Sequence, residues 1–180
     1  IWTADRRALT FAAAADHQRK RSGSYYTPAA VVACLLDATL QPALADAAAQ
    51  PDPNAALLGL RVLDPACGSG HFLAAAGERL ATALAAARGL PRSTAQERAD
   101  VATHCLFGVD LDATAIDLCR VRLWGWAGGG SALADAVAAH VRWGNALLGR
   151  AAHRTAPTAD DPQDGIADSA YQPSDGDNKA

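Results

Sequence analysis

The residues with the clearest chemical potential form one segment, Asp64-Pro65-Ala66-Cys67-Gly68-Ser69-Gly70-His71-Phe72-Leu73. A short apolar run precedes it and a long alanine-rich stretch follows it, as at a junction between a strand and a helix. Gly68 and Gly70 tolerate positive φ and have no Cβ, so the backbone of such a turn can approach a ligand closely. No third glycine completes the dinucleotide pattern G-x-G-x-x-G. The alternative is a tight turn that binds nothing.

Hydrophobic periodicity and capping residues predict the elements that must position this segment. Strands are expected at 60–64, 105–110 and 140–143, the last closed by Gly144-Asn145. Helices are expected at 3–18, from Pro28 past Leu40, at 71–88, 93–104, 113–124 and 131–138, with loops at 51–54 and 128–130. The predicted N-caps are Thr27, Ser93 (in a capping box with Gln96), Asp112 and Ser131. This β-α-α-β-α-α-β order predicts an α/β fold with a parallel sheet, right-handed crossovers and flanking helices.

Composition divides the 180-residue chain into three parts. Residues 1–58 are predicted as an N-terminal helical segment and residues 59–150 as the α/β core. Residues 151–180 are acidic and contain almost no large apolar groups. Burial in such a tail cannot offset the entropy of ordering it, so we expect disorder or a linker. Because the chain starts at Ile1 and lacks an obvious closing element, we expect a fragment of a longer protein.

Charge alone does not indicate a nucleic-acid partner. The formal net charge is −3, whereas a free-standing DNA-binding domain is usually basic. The one basic cluster, Arg19-Lys20-Arg21, fits a solvated helix end as well as a phosphate contact.

The four cysteines, at 34, 67, 105 and 119, form no C-x-x-C pair and no zinc spacing. We therefore expect no metal site and read all four as reduced thiols of a cytoplasmic protein, with Cys34, Cys105 and Cys119 in the core. The sequence shows no secretory signal and no uninterrupted apolar run of about 18 residues, so no membrane span is expected.

The segment Asp64–Leu73 resembles motif I of the S-adenosylmethionine-dependent DNA adenine-N6 methyltransferases, whose consensus is close to DPACGSGxFL. Three further segments are similar to motifs of that family and follow in the family's order. Residues 23–28 (GSYYTP) resemble motif X, residues 108–112 (GVDLD) motif II, and residues 143–148 (WGNALL) motif III in the form found in type IIG restriction-modification methylases. The resemblance implies part of a Rossmann-like methyltransferase fold, namely its N-terminal, cofactor-binding half.

The resemblance also implies roles in binding S-adenosylmethionine. Asp110, after the second strand, would accept hydrogen bonds from the ribose diol, because a carboxylate can accept two. It lies 40 positions beyond Gly70 (110 − 70), whereas a dinucleotide fold places its acid about 20 residues on. Asp64 would help to hold the cofactor's ammonium group. The alternatives are a helix-start acid for Asp110, a role that Asp112 already covers, and a turn cap for Asp64.

Other residues complete the implied site. Thr27 would contact the cofactor carboxylate, Tyr25 and Tyr26 would wall the pocket, and Asn145 would contact the N6 region of the cofactor adenine. Ordinary packing is the alternative for the tyrosines, and a turn residue for Asn145. The full implied set is Tyr25, Tyr26, Thr27, Pro28, Asp64, Ala66, Cys67, Gly68, Ser69, Gly70, Asp110, Leu111, Asn145 and Ala146.

The family's catalytic motif, N/D-P-P-Y/F, is missing. In the family it accepts hydrogen bonds from the target amine and stacks the flipped base. Here Asn54 and Asn145 precede alanine, Asn178 precedes lysine, and no Pro-Pro occurs. We therefore assign no catalytic residue and expect no DNA methylation by this chain alone.

Double-stranded DNA would be the partner of the full-length protein, which the resemblance places in a restriction-modification or phage-defence system. One alternative is a split or truncated module that acts with a C-terminal half or a specificity subunit. Another is a methyltransferase for RNA or protein, although the GSYYTP segment favours the DNA enzymes. A nicotinamide oxidoreductase fits least, because the glycine pattern is incomplete and Asp110 is distant.

Overall fold

The computed structural model describes residues 27–147 and the backbone of residues 150–151. Tyr25, Tyr26, Leu148, the helix predicted at 3–18 and the tail predicted from 151 lie outside the described residues, apart from the backbone of Ala151.

A parallel sheet forms the centre of the molecule, as the sequence predicts. Strands β1 (Val62–Asp64), β2 (Leu106–Asp110) and β3 (Val141–Asn145) lie in that order, with Asp64 beside Gly108 and Asp110 beside Trp143. A short strand, β4 (Arg150–Ala151), adds antiparallel to β3. The helices are α1 (Ala29–Ala48), α2 (Pro53–Gly59), α3 (His71–Ala87), α4 (Ala95–His104), α5 (Ala113–Trp126) and α6 (Ser131–His140).

Several predicted helix starts are displaced. Pro28, not Thr27, is the N-cap residue of α1, and it offers no side-chain cap. Helix α4 begins after Thr94, whose hydroxyl accepts from the Gln96 N–H while the Glu97 carboxylate accepts from the Thr94 N–H, so the capping box lies one residue beyond the predicted one. Gly130 precedes α6, and Ser131 is its first helical residue.

Two other caps decide local structure. The predicted loop 51–54 is wrong at its second half, because Pro53 starts α2 and the Asp52 carboxylate accepts from the Ala55 N–H at 3.1 Å. The predicted Asp112 cap is confirmed, since its carboxylate accepts from the Thr114 N–H at 2.8 Å.

The core lies between the sheet and its helices and is mostly leucine, valine and alanine. Its largest fully buried side chains are Leu36, Leu57, Leu73, Leu80, Leu84, Leu106, Ile116, Leu123, Val101, Val137, Val141 and Cys105. Cys105 and Cys119 are buried as predicted, but Cys34 is exposed on α1, so its predicted core position is wrong. All cysteines of the described residues are free thiols.

Helix α1 is unusually apolar for a helix with so much exposed surface. Among the described helices it alone is long and apolar enough to cross a membrane by length and composition, with a mean hydropathy of 1.3. Its buried side chains, Val32, Leu36, Leu40, Leu44 and Ala47, belong to the same hydrophobic core as α3.

Candidate cofactor-binding site

The glycine-rich segment forms a turn between β1 and α3, and hydrogen bonds attach it to both neighbouring strands. The Asp64 carboxylate accepts from the Ala66 N–H at 3.1 Å. The Cys67 N–H donates to the Val109 carbonyl of β2 at 3.0 Å, and the Gly70 N–H donates back to the Cys67 carbonyl at 2.8 Å. The turn is therefore held at the carboxyl ends of β1 and β2, where α/β proteins bind ligands.

Glycine is required at this turn by conformation and by space. Gly68 and Gly70 have φ values of +51° and +77°. A Cβ on Gly70 would lie 2.5 Å from the Cys119 Sγ, so α5 packs directly beneath the turn. A Cβ on Gly68 would meet nothing within 4 Å, so the turn is open on that side. The turn thus has one packed side and one side that a ligand can approach.

Asp110 joins the end of β2 to the turn. Its Oδ2 accepts from the Gly68 N–H at 2.7 Å, and its Oδ1 accepts from the Asp112 N–H at 2.9 Å. Each carboxylate oxygen has a second lone pair, so Asp110 can hold both backbone groups and still accept from ligand hydroxyls. The structure therefore brings together the glycine turn and the acid that the sequence places 40 residues later.

Negative charge is concentrated at this end of the sheet. Burial raises the pKa of Asp64 above its ordinary value of 3.8, the Ala66 N–H partly offsets this effect, and the nearby Asp110 charge adds to it. Two carboxylates that repel each other favour a cationic ligand, because its charge relieves both burial and repulsion.

Cys67 is a packing residue of the turn. Its thiol is buried, and the hydrogen bond shared with the Cys119 thiol, together with burial, raises the pKa of Cys67. A Cβ on Gly108 would lie 2.9 Å from the Cys67 Sγ, so the missing side chain of Gly108 provides the space for that thiol. A buried thiol with a raised pKa is a poor nucleophile, which fits a packing role for Cys67.

The remaining predicted residues border this region or lie away from it. Leu111 follows Asp110 with its side chain 64% exposed. The Asn145 Oδ1 accepts from the Leu147 N–H at 2.9 Å at the end of β3, which is the turn role considered above, and Ala146 is exposed beside it. Ser69 is half-buried in the turn. Thr27 and Pro28 are exposed at the start of α1, which packs on α3.

Trp143, the first residue of the segment that resembles motif III, is not among the predicted site residues. This residue of β3 lies beside Asp110 in the sheet register, and its indole N–H donates to the Leu111 carbonyl at 2.9 Å. The available signal was its position two residues before Asn145, since side chains two apart on a strand share a face.

Within the described part of the chain, no group of three or more His, Cys, Asp or Glu side chains is placed to hold a metal ion.

Comparisons with known proteins identify a matching family and two similar proteins. The N-6 DNA methylase family matches residues 9–147. A protein of Methanocaldococcus jannaschii, named as a type II restriction enzyme and methyltransferase, is 37% identical over 68 residues, which are 36% of this chain and 6% of that protein. The adenine-specific methyltransferase PglX of Streptomyces coelicolor is 30% identical over 105 residues, which are 58% of this chain and 8% of PglX. No solved structure gives a significant match.

Proposed function

Because the chain belongs to the N-6 DNA methylase family, we propose that it is the S-adenosylmethionine-binding portion of a site-specific DNA adenine-N6 methyltransferase. We place that enzyme in a restriction-modification or phage-defence system of the cytoplasm. The observation that carries the proposal is the 2.7 Å hydrogen bond from the Gly68 N–H to Asp110, because it joins the glycine turn and the acid in one site.

The residues at the strand ends fit the cofactor's chemical groups. Asp110 has free lone pairs for the ribose diol, and Asp64 provides a carboxylate for the ammonium group. The open side of Gly68 leaves space for close approach, and the exposed Leu111 offers an apolar surface to the adenine. When bound, S-adenosylmethionine supplies an electrophilic methyl group on a sulfonium.

We propose that groups absent from this sequence contact the DNA and activate the target base. The chain has no N/D-P-P-Y/F segment and spans 6% and 8% of the length of the two curated relatives. We infer that double-stranded DNA reaches the site through a longer protein or a partner that carries the missing motif. This chain's own part is to hold the cofactor and fix its orientation, which supplies much of the rate in such transfers.

Isothermal titration with S-adenosylmethionine and S-adenosylhomocysteine tests the proposal. We expect one molecule bound per chain, and binding about 10-fold to 100-fold weaker in Asp110→Asn, because a charged acceptor of hydrogen bonds is lost. Asp135→Asn, which changes an exposed acid on α6, is the matched control and is expected to bind like the wild type. Absence of heat with the wild-type chain, or equal affinities of all three proteins, would refute the proposal.

A further inference from the structure

Trp143 of β3 is hydrogen-bonded to the connection that follows β2. Its side chain is 37% exposed, and the neighbouring Leu111 is 64% exposed. The indole N–H donates to the Leu111 carbonyl at 2.9 Å. Trp143 thus pairs with Asp110 in the sheet and its indole is hydrogen-bonded to the backbone of Leu111, while the side chains of Trp143 and Leu111 stay accessible to solvent.

The hydrogen bond acts on the backbone that Asp110 also holds. Asp110 accepts from the Asp112 N–H, and the Trp143 indole holds the Leu111 carbonyl, so two contacts restrain the short connection between β2 and α5. These hydrogen bonds restrain the backbone from which the Leu111 side chain extends. An apolar surface fixed beside a diol-binding acid suits the base of a nucleoside.

We infer that Trp143 is a positioning residue for the nucleoside end of the cofactor, acting through Leu111. The inference rests on the proposed function and adds a residue and a mechanism to it. Because the indole is hydrogen-bonded to the backbone of Leu111, we expect its fluorescence to change when the site is occupied.

Trp124 provides a matched control. It is 41% exposed, and its indole N–H also donates to a backbone carbonyl, that of Gly130, at 2.9 Å. It lies 11 positions after Ala113, the first residue of α5, which at 1.5 Å per residue is about 17 Å along the helix from the strand end. Phenylalanine at either position removes the same hydrogen bond and keeps an aromatic ring.

The experiment compares S-adenosylhomocysteine binding by the wild type, Trp143→Phe and Trp124→Phe in titration calorimetry and tryptophan fluorescence, with melting curves of each ligand-free protein. We expect affinity to fall about 3-fold to 10-fold in Trp143→Phe and less than about 2-fold in Trp124→Phe, which corresponds to the loss of one hydrogen bond at the site. The emission change on binding should disappear in Trp143→Phe and persist in Trp124→Phe.

Three results would overturn the inference: affinity of Trp143→Phe within twofold of the wild type, equal losses in both variants, or an emission change that persists without Trp143. Should Trp143→Phe fail to fold, an unchanged emission of Trp124→Phe on binding would overturn it as well. If the wild type binds but Trp143→Phe binds equally well, this inference alone fails. If the wild type binds nothing, the proposed function fails with it.

Discussion

At the scale of single residues, the candidate site depends on the Asp110 carboxylate, which accepts hydrogen bonds from backbone N–H groups and keeps lone pairs for a ligand. Asp110 accepts from Gly68 and Asp112 N–H groups, while Asp112 caps α5. The predicted helix cap at Asp112 is confirmed, so Asp110 is not needed for that role. Its hydrogen bond to Gly68 could not be predicted, because it joins residues 42 positions apart and depends on the sheet register.

We predict that substitution of Asp64, the acid at the end of β1, changes stability and cofactor binding in opposite directions. Burial raises the pKa of Asp64 in the folded state above its ordinary value of 3.8. Between pH 3.8 and that raised pKa, the folded state keeps a proton that the unfolded state has lost. The free energy of unfolding therefore falls as pH rises through this window. Asp64→Asn keeps an oxygen for the Ala66 N–H and removes the buried charge. We expect its ligand-free form to melt at a higher temperature than the wild type at neutral pH. Its affinity for S-adenosylmethionine should be lower by at least about 10-fold.

Melting curves and titrations at neutral and acidic pH check this pair of effects. At a pH low enough to protonate Asp64, wild type and variant should melt alike, and the wild type's affinity should fall toward that of the variant. A variant that melts below the wild type at neutral pH, or that binds the cofactor equally well, would contradict the assignment of Asp64.

At the scale of elements, the glycine turn is shaped by the helix beneath it. Gly70 has positive φ and lies against Cys119 of α5, whereas Gly89, at the end of α3, has similar φ and no atom within 4 Å of its missing Cβ. Substitutions at Gly89 and Gly70 therefore separate the free-energy cost of a left-handed backbone from the cost of a steric overlap.

We expect Gly89→Ala to lower the free energy of unfolding by about 1–2 kcal/mol, the cost of left-handed backbone with a Cβ. Gly70→Ala should cost about 1–3 kcal/mol more, because the added methyl overlaps a fully buried thiol. Urea denaturation of both variants measures the difference. Equal losses would show that Cys119 does not restrict the turn.

Element order was predictable from sequence, whereas some boundaries were not. Short apolar runs between helical patterns were enough to predict three parallel strands. The Pro51-Asp52-Pro53 run signals a break, but a proline after an aspartate also starts a helix, and here it starts α2. Ser93 and Thr94 both suit an N-cap. In the structure Glu97 accepts from the Thr94 N–H and also pairs with Arg88 at 2.9 Å, so the capping box forms at Thr94. The two-residue β4 carries no periodic signal.

At the scale of the whole molecule, we propose that the chain holds a cofactor and lacks the groups that act on a base. Among the described residues, β1 forms one edge of the sheet, and its Leu63 is 61% exposed, although parallel sheets are normally covered on both faces. The family and the motif order could be read from sequence, and the comparisons confirm the family. The DNA recognition site, a nuclease domain and the oligomeric state have no signal in these residues.

The chain alone should therefore bind S-adenosylmethionine without methylating DNA. Tritium-labelled cofactor incubated with the chain and unmethylated double-stranded DNA should leave no label on the DNA, because no segment activates the adenine amine. An intact adenine methyltransferase in a parallel reaction shows that the DNA is a competent substrate. Transfer of label to the DNA by the chain itself would contradict the proposal that base activation requires groups absent from this sequence.

The most direct measurement is an experimental structure of the chain with S-adenosylhomocysteine. We predict that the nucleoside lies between the open side of Gly68 and the Leu111 side chain, with its ribose hydroxyls hydrogen-bonded to the Asp110 carboxylate. A nucleoside bound elsewhere, or ribose hydroxyls that do not contact Asp110, would contradict it.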